Sequence, residues 1–447
     1  MALTITDHDA AAIADFLSFP LAAAIQGRRS RRFPLGGEIP DGPLAYTSEH
    51  PVTPLSEVER ALVLAFVTGN TGLHHGITHH PGYAPHFPNY PGVPGGRTFP
   101  SAAGFHTTQF FFTDDTGTYF LPSREDTPPN GEPSRFGHTG DGAADIVGSH
   151  GAAVTPDQLV DWLNATVDNV RKLSDERLHL PREEPYLEGH NTWIANHPGS
   201  LLVIPVADLA HHLIANIAFF QQNGYGIYDD INDHPLPHAN DVNLRHSGDP
   251  FPLSFVEQYT LAEASAELMA STYAGHLVLG ALGLGGWSFD GIDRVSVLGG
   301  EAPEVPGLGF TVQRDDRWPL PNPTGLPGVW ETLSRPHVAD ADEAVDRYIS
   351  LKTSPGGPQH PDTPGPWKDS HAVRSASAPY TPEFVAHLKD KVRYIDDRFG
   401  KIPGTVQTVQ IMNYLQVQHL DLGFYDTLFQ PGAYLDTHLH HQERWHG

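Results

Sequence analysis

The feature that most constrains this chain is its punctuation: 44 glycines and 41 prolines among 447 residues. They cluster between periodic segments, so regular elements are confined to the stretches in between and the fold must carry many loops. Ser56 and Glu59 form a capping-box pattern ahead of Leu62, Ala65 and Phe66, which predicts a helix start. Residues 107–121 hold Phe110-Phe111-Phe112 and Tyr119-Phe120-Leu121 around Asp114-Asp115-Thr116-Gly117, a hairpin with at least one buried strand. Residues 122–154 read as loop. Thr155-Pro156 then opens a helix with Leu159, Leu163 and Val170 on one face.

Further along, Leu201–Pro205 reads as a short apolar strand and Val206–Phe220 as a buried helix. A second capping box, Ser254 and Glu257, predicts a long helix reaching about Leu284 and ending at Gly285-Gly286. Residues 311–370 are again rich in proline and glycine and suggest a wrapping arm or a linker. Thr381-Pro382 caps an amphipathic helix with Phe384, Leu388, Val392, Ile395 and Phe399 on its stripe. The sum is an α+β chain in which helices dominate.

Hydrophobic residues at 39% are enough for a packed interior. The absence of cysteine removes disulfides, thiolate metal sites, iron–sulfur clusters and thiol nucleophiles, and fits a reducing compartment. A net charge of −26 argues against nucleic acid and anionic lipid as partners. No apolar run reaches the roughly 18 residues that a membrane helix needs. Ser30-Arg31-Arg32-Phe33-Pro34-Leu35 resembles a twin-arginine signal, yet Gly36-Gly37-Glu38 follows where an apolar region would be required. The expectation is a cytoplasmic protein.

Three runs could carry chemistry. Arg28-Arg29-Ser30-Arg31-Arg32 is a positive island in an acidic chain, and guanidinium forks suit phosphate or the electron-rich edge of a flavin; a solvated basic patch would read the same way. Arg97–His106 contains small residues, Ser101, Ala102, Ala103 and Gly104, that let backbone N–H groups approach a flat ring, or simply make a turn. Leu282-Gly283-Leu284-Gly285-Gly286-Trp287 closes the long helix, for close packing or to lie against a cofactor. No Walker loop appears and no GxGxxG follows a strand.

In this order the runs resemble the FMN-dependent nitroreductase-like oxidoreductases, in flavour closest to the azoline-oxidase branch. Arg28-x-Ser30-x-Arg32 is similar to the family's N-terminal Arg-x-Ser-x-Arg motif. Pro100–His106 resembles its Pro-Ser-Ala-Gly-Gly-x-His run, and Pro306-Gly307-Leu308-Gly309-Phe310 its last core strand. The resemblance implies a nitroreductase-like fold, a mostly antiparallel sheet flanked by helices. It also implies a homodimer, and FMN held by Arg28, Ser30, Arg32, Ser101, Ala102, Ala103, Gly285 and Gly286, with Arg314 or Arg317 at the phosphate. It covers about 20–121 and 255–320. The chain then divides into core (1–121), insertion (122–254), core (255–320) and an arm with a helical extension (321–447). The implied function is hydride transfer through the flavin on a small or peptide-derived substrate, with reduced nicotinamide as a possible donor and His106 as a candidate acid–base residue. Residues after 310 are expected to cross to the second subunit, giving the helix after Thr381 a surface to bury.

Histidine occurs 28 times, densest at His74, His75, His79, His80 and His86, at His211-His212, and at His438, His440, His441 and His446. Imidazole is a common metal ligand, and Asp436, His438 and His441 are the best ligand set the spacing offers. One of His211 and His212 is expected in the core and the other in solvent. Asp229-Asp230-Ile231-Asn232-Asp233 lacks a full EF-hand pattern and reads as an acidic turn. A histidine-ligated metal enzyme and a non-catalytic flavin-binding protein are the competing functional readings.

Overall fold

The computed structural model describes the chain apart from residues 1–2, 74–94, 103, 124–153, 240–245, 301–303, 356, 358, 364–366 and 377–378. The His74–His86 cluster and most of the 122–154 loop therefore lie outside the described residues.

Its centre is an antiparallel sheet of β1 (Thr108–Asp114), β2 (Gly117–Leu121), β3 (Arg171–Ser174), β4 (Leu201–Asp208), β5 (Gly285–Phe289), β6 (Val409–Ile411) and β7 (Tyr414–Gln418). The strand order is β5-β7-β4-β1-β2-β3, with β6 also paired to β4. Alternation along β1 sorts its phenylalanines: Phe110 and Phe112 enter one core with Val203, Leu415 and Val417, while Phe111 enters the other with Ile204, Trp287 and Tyr414. The predicted hairpin is β1–β2. The strand read over 201–205 runs on through Asp208, because Val206 and Ala207 pair with both β1 and β6. The following helix therefore begins three residues later than the pattern suggests, and the Asp208 side chain accepts its cap bond from the His211 N–H.

Of the helices among the described residues, those that bear on the site and its flanks are α1 (Asp7–Ser18), α2 (Glu57–Thr68), α3 (Leu209–Gln222), α4 (Leu253–Leu282), α5 (Ala341–Thr353), α6 (Pro382–Phe399), α7 (Asp436–Leu439) and α8 (His441–His446). The capping box of α2 forms as read, with Ser56 Oγ accepting from Glu59 N and Glu59 Oε2 from Ser56 N. The one expected at Ser254 and Glu257 does not. Ser254 bonds to Asp230 instead, and Glu257 accepts from Gly404 N and Thr405 N. Asp229 closes the acidic turn locally, accepting from the N–H groups of Ile231 and Asn232.

α4 stops at Leu282, two residues before the predicted end. Gly283 adopts φ +77° as its left-handed cap, and a Cβ there would lie 2.2 Å from the Thr437 carbonyl oxygen. Gly285 and Gly286 belong to β5. Pro306–Phe310 is not a strand: it is a turn held by Leu308 N to Val297 O and Phe310 N to Leu298 O. In the Pro/Gly-rich arm, α5 packs Ala344, Val345 and Tyr348 into a third core with Leu388, Val392 and Ile395 of α6 and with α3. The stripe of α6 thus finds its surface within its own chain, and burial no longer requires that helix to cross to a second subunit.

The protein is mixed α and β. The sheet takes β1 and β2 from 1–121, β3 and β4 from 122–254, β5 from 255–320, and β6 and β7 from 321–447. Every stretch of the sequence division contributes to it.

Candidate functional site

The arginine run leaves a short helix at Gly27 in extended backbone. It is then sewn to the edge of the sheet. The Arg31 carbonyl accepts from Gly286 N at 2.8 Å, the Arg32 carbonyl from Gln418 Nε2, and the Phe33 carbonyl from Asp421 N at 3.1 Å. Phe33 stacks on Phe424 with ring centroids 4.0 Å apart, inside a cluster with Tyr46 and Tyr425. The first and third sequence runs, some 250 residues apart, are thereby brought together.

Extended backbone sends neighbouring side chains to opposite sides. Arg31 points inward, 6% exposed, with Nε donating to Ala433 O at 2.8 Å and Nη1 to Gly27 O at 3.1 Å. Burial pushes its guanidinium below the ordinary arginine range. Arg32 lies over the Trp287 ring at 5.0 Å and Arg28 over Tyr273 at 5.9 Å. Among the described residues, neither Arg28 nor Arg32 is paired with a carboxylate, which in so acidic a chain is unusual. Arg29 turns back to the carbonyls of Gln26 and Arg28, and Ser30 is exposed.

Gly285 and Gly286 are needed for protein packing. A Cβ on Gly285 would sit 2.0 Å from Leu420 Cδ2, and one on Gly286 2.3 Å from Gln416 O. Ser101 caps its own loop by accepting from Gly104 N at 3.1 Å; Ala102 is exposed and Ala103 falls outside the described residues. His106 is buried at φ +48°, its ring edge-on to Phe99. Arg317 is engaged by Asp315 through Nε and Nη2, and holds that carboxyl down to about 2; Arg314 donates to Gly300 O.

His211 and His212 are both buried, against the expectation of one in solvent. A partner on each side makes this possible for His212: Nδ1 meets Thr107 Oγ1 and Nε2 meets Glu263 Oε2, each at 3.1 Å. Asn216 also donates to Glu263, whose carboxyl stays below its usual range because these bonds outweigh its burial.

Of the proposed metal set, the structure brings only His441 into a ligand-like group. His438 is buried and capped locally, its Nδ1 accepting from Leu435 N at 3.1 Å, and burial pushes it down to about 3; Asp436 opens α7. His441 instead meets Glu59, His419 and His446, whose nearest ligand atoms all lie within 4.8 Å of one another. His441 Nε2 is 2.9 Å from both Glu59 Oε1 and His419 Nδ1, and His446 Nε2 is 3.2 Å from Glu59 Oε1. Burial acts to raise the Glu59 carboxyl, but the hydrogen bonds of His441 and His446 hold it well below the usual range; burial pushes His419 down to about 4. Glu59 was visible in the sequence only as a capping residue, and its second oxygen still serves that role. His419, a lone histidine after β7, carried no sequence signal.

Comparison with family models and with curated proteins returns no match. Among solved structures, a "putative nitroreductase" from Ralstonia eutropha JMP134 aligns over 62% of this chain and 72% of its own, at 12% identity and a TM-score of 0.25. A likeness that slight carries no argument, and the site rests on its own geometry.

Proposed function

We propose that this protein is an FMN-dependent oxidoreductase whose cofactor is held by Arg28 and Arg32 beside the edge strand β5. The carrying observation is that these two arginines sit on aromatic rings without a carboxylate partner among the described residues, in a chain of net charge −26. Charge-assisted bonds to phosphate, or to the electron-rich edge of the ring system, would satisfy them. The order of the three sequence runs supports the same reading, and so does the pairing of Arg31 with Gly286 that joins the first to the third.

When bound, FMN supplies the hydride chemistry; the protein's share is binding, orientation and electrostatics. Arg31 fixes the backbone of the arginine segment, and Trp287 and Tyr273 hold the flanking guanidinia in place. Ser101 and Ala102 remain candidates for ring contacts, and His106 for proton transfer. A small or peptide-derived substrate and a reduced nicotinamide donor complete the proposal. The active species is proposed to be a homodimer. On α4, Phe255, Tyr259, Met269 and Tyr273 are exposed at 44%, 43%, 50% and 42%, with exposed Ala262 and Ala266 between them. That 4-3-4-3-4 spacing would suit the seam of a helix–helix contact with a second copy, and Arg28 lies on Tyr273 at one end of it.

The test is anaerobic mixing of the FMN-loaded protein with reduced nicotinamide. Bleaching of the flavin spectrum is expected, with reoxidation by a nitroaromatic acceptor; a bound flavin that is never reduced would contradict the reading.

A further inference from the structure

We propose that Glu59, His419, His441 and His446 bind one divalent first-row transition-metal ion, which clasps residues 436–446 to the core. The far sides of the His419 and His441 rings face backbone carbonyls. His441 Nδ1 lies 2.8 Å from Leu282 O, and His419 Nε2 lies 3.2 Å from Pro54 O. A carbonyl can only accept, so each of these nitrogens carries the ring proton. In the neutral rings, His441 Nε2 and His419 Nδ1 then present bare lone pairs to one another at 2.9 Å, with Glu59 Oε1 another 2.9 Å from the former. Lone pairs converging on a carboxylate repel unless a cation lies between them. Backbone carbonyls that fix the outer nitrogen and leave the inner one free are the usual second shell of a metal-ligating histidine.

The surroundings agree. Glu59, His419 and His441 are 0%, 1% and 3% exposed, so water cannot relieve the repulsion. The ligands come from three remote parts of the chain: the first turn of α2, the segment after β7, and α8. Bonds of about 2.0–2.2 Å put the atoms around a tetrahedral ion roughly 3.3–3.6 Å apart. The shortest approaches among the proposed ligand atoms, 2.9 and 3.2 Å, fall just short of that range, and all four residues' ligand atoms lie within 4.8 Å of one another. Three imidazoles and one carboxylate, with no thiolate, suit zinc, cobalt, nickel, iron or manganese over calcium or magnesium. The His446 ring, about a quarter exposed, gives the ion a way in. The competing account is a proton: one doubly protonated imidazole against Glu59, with no metal.

The site is independent of the flavin reading, since none of its residues belongs to the arginine segment or β5. The test uses the purified full chain, stripped with chelator and titrated with Co²⁺. One ion per chain with the visible bands of low-coordinate cobalt is expected, together with a rise in melting temperature on loading. H419A and H441A should each weaken binding by more than the roughly 10- to 100-fold that loss of an outer-shell partner costs, while H440A, whose ring is exposed, should change nothing. Should the buried variants fail to fold, H446A decides: weakened cobalt affinity with an unchanged circular dichroism spectrum is expected. No cobalt binding by the wild type, full affinity in H446A, or loss of binding only when His74, His75, His79, His80 and His86 are replaced would each overturn the proposal.

Discussion

Arg31 and Arg32 are adjacent in sequence and should fail in different ways. Arg31→Ala removes a buried guanidinium that donates to the half-buried carbonyls of Ala433 and Gly27 and leaves both without that donor. A hydrogen bond from a charged donor is worth about 1.5–3 kcal/mol. Release of the buried charge from its desolvation offsets part of that, so a net loss of about 2–3 kcal/mol is expected. Unfolding entropy of roughly 2.1 cal/mol/K per residue gives a chain of this length about 0.9 kcal/mol/K, so the melting temperature should fall by only about 2–3 °C. Denaturant titration resolves the change better, as a lower midpoint at constant slope. Arg28→Ala and Arg32→Ala, in contrast, should leave the midpoint within about 0.5 kcal/mol of wild type and weaken FMN binding by roughly ten- to hundredfold. A silent Arg31→Ala in denaturant, or equal loss of FMN in all three variants, would refute these separate roles.

Gly283→Ala places a Cβ 2.2 Å from Thr437 O at φ +77° and should cost about 1–3 kcal/mol in denaturant, whereas Gly328→Ala, at φ +68° in open space, should cost only about 1 kcal/mol; equal effects would show that the close approach does not matter. Lys401 is held down to about 8 by burial, so between about pH 8 and its ordinary 10.5 the unfolded chain binds more protons and stability should rise with pH, flat below 8 as far as this group is concerned. Lys401→Met should remove that rise, and an unchanged slope in denaturant titrations at pH 8 and 10 would contradict it. Ala266→Glu sets a charge in the middle of the exposed α4 seam and should turn a dimer into a monomer by light scattering; an unchanged mass would rule this face out as the contact.

Local rules read well where a side chain and its backbone neighbours settle the matter alone. The β1–β2 hairpin, the Ser56–Glu59 box and the stripe of α6 depend on residues within a turn or two, and the structure has them as read. Readings failed where a distant segment outbid a local one. Ser254 and Glu257 hold a capping pattern, but Asp230 and the 404–405 backbone take both side chains. Val206 and Ala207 look like the start of a helix and are claimed by ladders to β1 and β6 on either side. The candidate metal ligands show the same limit. His438 and His441 share a periodic spacing, yet the group that forms is chosen by tertiary approach of α2, the end of β7 and α8. No spacing rule connects Glu59 with His419 or His446.

The central claim, that the arginine segment beside β5 holds a flavin mononucleotide, is tested most directly by the visible spectrum of the purified protein and the nucleotide it releases on denaturation. The account predicts a yellow protein with a flavin spectrum, one FMN per chain, and no FAD. A colourless protein that takes up no FMN at micromolar concentration would contradict it.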